Sequence, residues 1–231
     1  MISVVIPTLN AEQGLATTLA ALVPAAVDGL VREVIIVDGG SSDRTLRIAD
    51  DAGAVLLQQS ECGRGQQLVA GAARARSDWL LFLHADTVLE VGWEREAAAL
   101  MERVGNGARP ATAASFRFAL DDAGFRPRVL ETLVGLRCLL LRLPYGDQGL
   151  LVPRRLYEQI GGYRALPLME DVDLVRRLGR ARLVLLRSRA VTSAARYRRD
   201  GYTHRSVRNF ACLMLFYLRV PAARIARIAP A

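Results

Sequence analysis

The chain has 231 residues, of which 52% are hydrophobic and 23% are charged, which is the composition of one folded domain. All 31 basic residues are arginines, and the absence of lysine excludes P-loop nucleotide triphosphatases, pyridoxal phosphate enzymes and protein kinases, because each class needs a lysine. The formal charge of +8 favours anionic partners, namely nucleotides, nucleic acid or an anionic membrane surface, since arginine binds phosphate with paired hydrogen bonds.

Apolar runs and turn signals alternate through the first 120 residues. Short runs rich in Val, Ile and Leu indicate strands, and leucines at helical spacing indicate helices between them. We predict strands at 2–7, 33–38, 54–57, 79–84 and 113–120, and helices at 12–26, from Arg44, at 65–76, 93–104 and 126–142. Because strands and helices alternate, we expect the α/β class, with a mainly parallel central sheet flanked by helices.

Two of the predicted strands end in an aspartate. Asp38 follows the second strand, and the segment His84-Ala85-Asp86 follows the fourth. Because ligands of open α/β sheets bind at the carboxyl ends of the strands, we expect Asp38 and Asp86 to face a ligand site. A third acidic cluster, Glu170-Asp171-Val172-Asp173, lies downstream. It can supply a general base, or it can simply place acids in the first turn of a helix.

The segments that follow the first two strands have the composition of a ligand pocket. Pro7 cannot continue the ladder of a central strand, so the chain leaves the sheet there. The polar side chains exposed at that strand end are then Thr8, Asn10 and Glu12. Gly39 follows Asp38 and lets backbone amides approach a ligand. Both segments also fit ordinary helix-capping turns.

Two further positions suggest a phosphate and a metal ion. Arg64 opens a predicted helix, where it can hold a phosphate together with the positive end of the helix, or it is a solvated arginine. Asp86 ends a buried strand and needs a partner for its charge, for which we expect Mg²⁺ or Mn²⁺. Zinc is disfavoured because His204 is the only histidine besides His84, which we expect to have a structural or supporting role.

Taken in order, these segments resemble the family 2 glycosyltransferases of the GT-A fold. The segments that carry the resemblance are Val5 to Asn10, Val37 to Thr45, Phe82 to Asp86 and Met169 to Asp173, so that it spans roughly residues 2 to 180. Within that family, Leu83-His84-Ala85-Asp86-Thr87 and Tyr145-Gly146-Asp147-Gln148-Gly149 look like a small bacterial subgroup associated with arsenosugar or selenium-related gene clusters.

The resemblance implies a metal-dependent, inverting transferase that moves a sugar from a nucleoside-diphosphate sugar, expected to be a UDP-sugar, to an acceptor hydroxyl. Asp38 would contact the nucleotide base, and the residues expected to line the same pocket are Pro7, Thr8, Asn10, Glu12 and Gly39. The DxD motif of the family becomes His84-Ala85-Asp86, in which Asp86 keeps the role of metal ligand and His84 replaces the first acid.

The other roles implied by the resemblance concern the transfer itself. The family's ED motif falls on Glu170 and Asp171, and Asp171 would act as the general base. Arg64 and the metal ion would stabilise the departing diphosphate. Asp147 and Gln148 are expected to border the acceptor site, although turn chemistry also explains them. The expected organisation is a GT-A domain over 1–190, with a donor half at 1–120 and an acceptor half at 121–190, and a helical extension over 191–231.

The C-terminal extension is basic and aromatic. Its run from Phe210 to Val220 is too short to span a bilayer. It could lie in the interface of an anionic membrane as an amphipathic helix, as could Leu133 to Leu143, or these helices could pack on the catalytic domain or form a homodimer. Arginines of the extension could also reach the donor diphosphate.

The cysteines and the N-terminus suggest the compartment. Cys62, Cys138 and Cys212 are far apart and form no CxxC motif, and the chain begins with a strand-like segment rather than a signal peptide. We expect a cytoplasmic protein, peripheral on the inner face of the membrane if the extension binds lipid. The alternatives left open are a sugar-phosphate nucleotidyltransferase, an arginine-rich nucleic-acid-binding protein and a noncatalytic nucleotide-sugar sensor, with nucleic acid the less favoured partner.

Overall fold

The computed structural model describes residues 1–59 and 63–228, so that Cys62 lies outside the described residues. Within them the strands form one eight-stranded sheet in the order β3-β2-β1-β4-β7-β6-β8-β5. The strands are β1 (Ile2–Thr8), β2 (Val31–Asp38), β3 (Val55–Gln58), β4 (Trp79–Phe82), β5 (Thr87–Leu89), β6 (Ala113–Leu120), β7 (Leu150–Pro153) and β8 (Leu183–Thr192).

Helices connect and cover these strands. The α-helices are α1 (Glu12–Ala20), α2 (Val23–Val27), α3 (Thr45–Asp51), α4 (Arg64–Arg74), α5 (Trp93–Gly105), α6 (Phe125–Leu141), α7 (Arg154–Gln159), α8 (Glu170–Leu178), α9 (Ala195–Asp200), α10 (Tyr202–Tyr217) and α11 (Ala222–Ile228). Short 3₁₀ turns lie at Gly146–Gln148 and Arg180–Arg182. In the described ranges, no helix combines the length and the apolar character that crossing a bilayer requires.

The predicted α/β class is confirmed, and the sheet has a parallel half and a mixed half. Strands β3, β2, β1 and β4 run parallel to one another. Strand β7 is antiparallel to both of its neighbours, β4 and β6. Strand β8 is parallel to β6 and antiparallel to β5. The antiparallel insertion of β7 gave no sequence signal, because pairing partners distant along the chain leave no local pattern.

The central strands are buried on both faces, as their continuous apolar runs predicted. Alternate residues of β1 point to opposite sides, so Val4 packs with α1, α2 and α5, whereas Val5 packs with α4, α7 and α8. Gly71 of α4 lies against the side chains of Val5 and Val37, where a Cβ atom would collide. This close packing holds α4 against β1 and β2, and α4 begins at Arg64.

Two predicted element boundaries are wrong. The expected helix over 12–26 is interrupted after Ala20, because Pro24 lacks the N–H that a helix interior needs and instead occupies the first turn of α2. The fourth strand ends at Phe82 rather than at 84. Residue 190, the expected end of the GT-A domain, lies inside β8, and residue 120 is the last residue of β6, which pairs with β7. The division of the chain into a donor half, an acceptor half and an extension stays a prediction.

Candidate functional site

The carboxyl ends of β1 and β2 are joined by the side chain of Asp38. Thr8 is its register partner on β1 and donates a hydrogen bond from Oγ1 to Oδ1 of Asp38, at 2.9 Å. The backbone N–H groups of Gly40 and Ser41 donate to Oδ2, at 2.9 and 2.7 Å, and the Ser41 hydroxyl donates to Oδ1. Burial by itself raises the pKa of Asp38, but the hydrogen bonds from Ser41, Thr8 and Gly40 outweigh it and lower the pKa.

Asp38 is therefore an organising residue of the loop that follows β2. Its side chain is almost fully buried, and its carboxylate already accepts four hydrogen bonds, which is about the number it can accept. A contact between Asp38 and a nucleotide base would have to compete with these bonds. This arrangement leaves the backbone of Gly40 exposed at the surface.

The other residues predicted after β1 hold the same loop in place. Asn10, in a left-handed conformation with φ of 49°, accepts a hydrogen bond at Oδ1 from the N–H of Ser42, at 2.9 Å. Glu12 accepts from the N–H of Arg44 at 3.1 Å. Asn10 and Glu12 thus lie at the rim of the crevice, while Thr8 is buried beneath it.

Gln67 was not identified from the sequence, although it ties β1 to β2 at this edge. Its buried Nε2 donates to the carbonyls of Thr8 and Val37, each at 2.8 Å. A Cβ atom on Gly39 would come within 3.0 Å of that nitrogen, which explains why a glycine fits there. Gln67 occupies an ordinary position in a helix, so only its tertiary contacts reveal its role.

Arg64 and the two acids of the ED segment meet across the crevice. Arg64 is the first residue of α4, and Glu170 and Asp171 are the first two residues of α8. Arg64 Nη2 donates to Oδ2 of Asp171 at 3.0 Å. Its Nε lies 3.2 Å from Oε1 of Glu170, within ion-pair distance but without hydrogen-bond alignment. The solvated role considered for Arg64 is therefore wrong.

Two groups that the sequence did not reveal complete the surroundings of Asp171. The N–H of Gly146 donates to Oδ2 at 3.1 Å, and the hydroxyl of Tyr163 donates to Oδ1 at 3.3 Å. A Cβ atom on Gly146 would collide with both Asp171 and Arg64. Met169, directly before the acids, has φ of 65°, a conformation that costs a non-glycine residue about 1–3 kcal/mol. Such strain is typical of functional sites.

The buried ionisable groups of the crevice shift one another's pKa values. Burial, together with the negative charge of Asp171, raises the pKa of Glu170 to about 7, against the opposing effect of Arg64. Burial also raises the pKa of Asp147 to about 6, although Arg137 opposes it and Asp171 adds to it. Burial alone would lower the pKa of Arg64, but Asp171 and Glu170 raise it, so the guanidinium stays charged.

The segment after β4 supplies an open carboxylate and a neutral imidazole. Nδ1 of His84 lies 3.8 Å from Oδ1 of Asp86, and Nε2 of His84 is buried without a hydrogen-bond partner among the described residues. Burial, followed by the positive charges of Arg64 and Arg196, holds the pKa of His84 well below 6.5. Ala85 fixes the loop through its carbonyl, which accepts from the Thr18 hydroxyl at 3.0 Å.

These residues fit a hard divalent cation that takes most of its ligands from a substrate. Within 1–59 and 63–228, no three side chains of metal-binding type form a cluster. Mg²⁺ and Mn²⁺ are commonly held by one or two protein groups together with phosphate oxygens and water. Asp86, whose side chain is 29% exposed, offers one such group, and the imidazole of His84, whose Nδ1 lies 3.8 Å from Oδ1 of Asp86, offers a second.

Asp147 and Gln148 are neighbours with different roles. Asp147 Oδ1 is buried without a hydrogen-bond partner in the described part of the chain, so it is available to a ligand. Gln148 is 1% exposed, and its amide donates to the carbonyl of Phe116 and accepts from Arg137. The polar groups of Gln148 hold the 3₁₀ turn in place, and its expected position beside the acceptor stays a prediction.

The beginning of the C-terminal extension belongs to the site. The N–H of Ser193 donates to the carbonyl of Asp86 at 3.1 Å, which brings α9 against the segment after β4. Arg196 is exposed and close enough to His84 to influence its titration, and it forms no ion pair with another described residue. Tyr197 is buried near Asp147. The sequence marked this segment only as basic and aromatic.

Known proteins resemble the chain most clearly in its N-terminal half. Residues 3–130 match the family described as Glycosyl transferase family 2. A PGL/p-HBAD biosynthesis glycosyltransferase of Mycobacterium bovis is 37% identical over 101 residues, which cover 38% of this chain and 36% of that protein. Glucosyl-3-phosphoglycerate synthase of Mycolicibacterium paratuberculosis is 34% identical over 95 residues, covering 38% and 29%. The matches span about a third of the length of these relatives.

Solved structures resemble the chain over nearly its whole length. Staphylococcus aureus TarS 1-349 aligns with 98% of this chain and 68% of its own, with a TM-score of 0.67 and 16% identity. Glucosyl-3-phosphoglycerate synthase from Mycobacterium tuberculosis, in complex with Mn²⁺ and UDP-Glc, aligns with 96% and 80%, with a TM-score of 0.63 and 23% identity. The predicted GT-A fold is confirmed, and with the family match over residues 3–130 the chain belongs to glycosyl transferase family 2.

Proposed function

We propose that the protein is a metal-dependent, inverting glycosyltransferase that moves a sugar from a nucleoside-diphosphate sugar, preferentially a UDP-sugar, to an acceptor hydroxyl. The observation that carries this proposal is the meeting of Asp171 with Arg64 in the crevice that His84 also lines. The solved complex of glucosyl-3-phosphoglycerate synthase with Mn²⁺ and UDP-Glc supports the choice of donor and metal. The family match favours glycosyl transfer over nucleotidyl transfer.

Asp171 is the general base of the proposed reaction. Arg64, Gly146 and Tyr163 hold its carboxylate in one orientation, and Oδ1 accepts only the Tyr163 bond among the described residues, so it can accept another. The acceptor hydroxyl gives its proton to Asp171 as its oxygen attacks the anomeric carbon. The bond from that carbon to the diphosphate oxygen breaks on the opposite face, and its electron pair leaves with the diphosphate. Attack from the opposite face inverts the configuration.

Stabilisation of the departing diphosphate is assigned to three parts of the crevice. Asp86 and His84 would hold Mn²⁺ or Mg²⁺, which neutralises charge on the leaving group when it is bound. Arg64, at the start of α4, and Arg196, at the start of α9 and without an ion pair to any described residue, are positioned to add positive charge. A low-dielectric crevice makes such contacts stronger than they are in water.

The base and the acceptor are assigned to opposite ends of the crevice. We place the nucleotide base at the loop that Asp38 organises, bordered by Pro7, Asn10 and Glu12. We place the acceptor beside Asp147, whose raised pKa and unpaired oxygen suit a hydrogen bond to a sugar or alcohol hydroxyl. The same proposal has three further parts. The protein belongs to the arsenosugar- or selenium-associated subgroup. It lies in the cytoplasm at the inner face of a membrane, and its C-terminal helices contact that membrane or a second copy of the chain.

Donor binding can be tested without knowledge of the acceptor. A thermal-shift screen of nucleoside-diphosphate sugars, with and without Mn²⁺, should find a donor that raises the melting temperature, because a ligand of the folded state stabilises it. We expect a larger shift with Mn²⁺ and a preference for a uridine donor. If no nucleotide changes the melting temperature in either condition, the proposed function is wrong.

The base can be tested with the donor that the screen identifies. Asp171→Asn should abolish release of nucleoside diphosphate from that donor and should leave the thermal shift nearly intact, because the substitution keeps the shape of the side chain. Asp51→Asn is the matched control, since Asp51 is 72% exposed on α3. Unchanged turnover in Asp171→Asn would rule out its role as base.

A further inference from the structure

Helix α6 turns an apolar stripe toward solvent. Its exposed large apolar residues are Phe125, Val129, Leu133, Leu136, Leu139, Leu140 and Leu141. At about 100° per residue all of them except Leu141, the last residue of the helix, lie within an arc of roughly 120° on one side. The opposite side packs on the protein through Pro127 and Cys138. An apolar stripe on the outward side of a surface helix has no role in the core of its own domain.

Helix α10 has a second outward stripe. Its exposed apolar residues are Val207, Phe210, Met214, Tyr217 and Leu218, of which Leu218 directly follows the helix. They lie within an arc of about 100°. Cys212 and Leu213 occupy the buried side of the same helix. One helix of the acceptor half, α6, and one helix of the C-terminal extension, α10, thus present apolar side chains to solvent.

The two helices belong to one side of the molecule. They begin together, because the hydroxyl of Tyr202 on α10 donates to Asp122, just before α6, at 2.6 Å. A cleft of about 580 Å³ opens between these two starts. Near their other ends, Arg137 of α6 lies 3.6 Å from the ring centroid of Tyr145, and Tyr217 of α10 is close enough to affect the titration of Tyr145. Tyr145 directly precedes Gly146 of the crevice.

The charge around this α6–α10 surface is positive. No acidic residue follows Asp200 in the sequence, whereas the arginines after it are Arg205, Arg208, Arg219, Arg224 and Arg227. Arg205 and Arg208 pair with Asp200, and the other three form no ion pair with another described residue. The single acid of α6, Glu131, is already bound to Arg128 and to the N–H of Leu120. A twofold contact between two copies would bring arginines against arginines, which is unfavourable. An anionic bilayer offers both an apolar phase and opposite charge.

We infer that the α6–α10 surface docks into the interface of an anionic lipid bilayer, with the outward apolar side chains in the headgroup boundary and the arginines on phosphate groups. Docking itself does not depend on the proposed function, but its consequence for the acceptor does. Tyr145 connects the α6–α10 surface to the crevice, so docking brings the acceptor side of the crevice to the lipid. The proposed partner is the bilayer rather than a second copy of the chain.

Sedimentation with vesicles tests the inference on the full chain. We expect binding to phosphatidylcholine vesicles that contain about one third phosphatidylglycerol, weak binding to phosphatidylcholine alone, and loss of binding as salt is raised. The double variant Leu136→Glu, Phe210→Glu should bind anionic vesicles at least about tenfold more weakly, since two carboxylates would enter the interface. Val91→Glu is the control, because Val91 is 96% exposed on another part of the surface and should bind as the unmodified protein does.

Other results would overturn the inference. Absence of vesicle binding, or equal loss in Val91→Glu, would exclude this surface as the docking site. Light scattering that shows a dimer, converted to monomer by the double variant, would assign the surface to a second copy. The nucleotide thermal shift separates the two proposals, because all three proteins should keep it if the donor site is real. Vesicle binding without any nucleotide shift would leave the docking surface standing and remove the proposed function.

Discussion

Arg64 and Asp171 are joined across the crevice by a hydrogen-bonded ion pair of 3.0 Å, although each stands near the start of a different helix. Acids are favourable at a helix N-terminus, whereas an arginine at the start of α4 faces the positive end of its own helix. The carboxylates of α8 compensate for that cost. One cation therefore holds two helix starts together and orients the proposed base.

Removing the guanidinium of Arg64 should lower both stability and activity. Arg64→Gln would leave Glu170 and Asp171 facing each other without compensation, and we expect the free energy of unfolding to fall by about 1–3 kcal/mol, less than for a fully buried pair because the Arg64 side chain is 34% exposed. The Michaelis constant for the donor should rise at least about tenfold. Urea denaturation and donor turnover measure the two effects. Arg47→Gln, on the exposed face of α3, should change neither.

The close approach at Gly146 predicts a site that cannot accept a methyl group. Gly146→Ala would push a Cβ atom into Asp171 and Arg64, so turnover should fall at least about a hundredfold while the chain still folds. Gly135→Ala in α6 is the control, because its Cβ would meet open space and a helical Gly→Ala change stabilises by about 0.5–1 kcal/mol. Normal turnover in Gly146→Ala would contradict the described geometry.

The pKa of Glu170 predicts how stability depends on pH. It is raised from 4.5 to about 7, so the folded protein keeps a proton that the unfolded chain has already released. This contribution to stability is full below pH 4.5 and is lost as pH rises through about 7. Asp147, with its pKa raised to about 6, acts in the same direction.

The measurement is the slope of unfolding free energy against pH, from urea denaturation at about pH 5, 6, 7 and 8. Glu170→Gln should reduce the decline by roughly 2–3 kcal/mol, because glutamine does not titrate. Glu158→Gln, on an exposed part of α7, should keep the full slope. An unchanged slope in Glu170→Gln would show that another group causes the decline.

Because His84 replaces the first acid of the DxD motif, we expect weak binding of Mn²⁺ that a carboxylate at this position would strengthen. His84→Asp would add a hard oxygen ligand and a negative charge beside Asp86, and we expect the affinity for Mn²⁺ in the presence of nucleotide to rise about tenfold. Electron paramagnetic resonance of free Mn²⁺ measures this affinity. Gln159→Glu adds the same charge on an exposed position of α7 and should have no effect. Weaker binding in His84→Asp would contradict the prediction that a carboxylate suits Mn²⁺ better than the imidazole at this position.

Arg196 is expected to act on the leaving group rather than on the fold. Arg196→Ala should lower kcat by roughly ten- to a hundredfold, since an exposed arginine beside His84 contributes charge where diphosphate departs. The melting temperature should not change. Arg199→Ala, in the same helix but paired with Asp200, is the control. Equal turnover in the two variants would remove Arg196 from the mechanism.

Local patterns determined the class of fold and the edge of the sheet that carries the site. The apolar runs that end at Asp38 and near Asp86 predicted parallel strands, because burial on both faces demands continuous hydrophobicity, and strand ends of a parallel sheet share one edge. The acids at 170 and 171 were identified as a cluster that can supply a base or begin a helix, and the arginine at 64 as a helix-start residue that can hold a phosphate. Their residue types are costly to bury without a purpose.

The tertiary structure decided what those residues do for one another. Tyr163 and Gln67 gave no sequence signal, and the motif that contains Gly146 did not reveal its contact with Asp171, because these roles are contacts with residues distant along the chain. Asp38 and Gln148 have side chains that the sequence assigned to a ligand and that the fold uses for its own hydrogen bonds. Spacing along a chain predicts which face or edge a residue occupies. Whether a carboxylate or amide still has a free hydrogen-bonding position depends on every group that packing brings within about 3 Å.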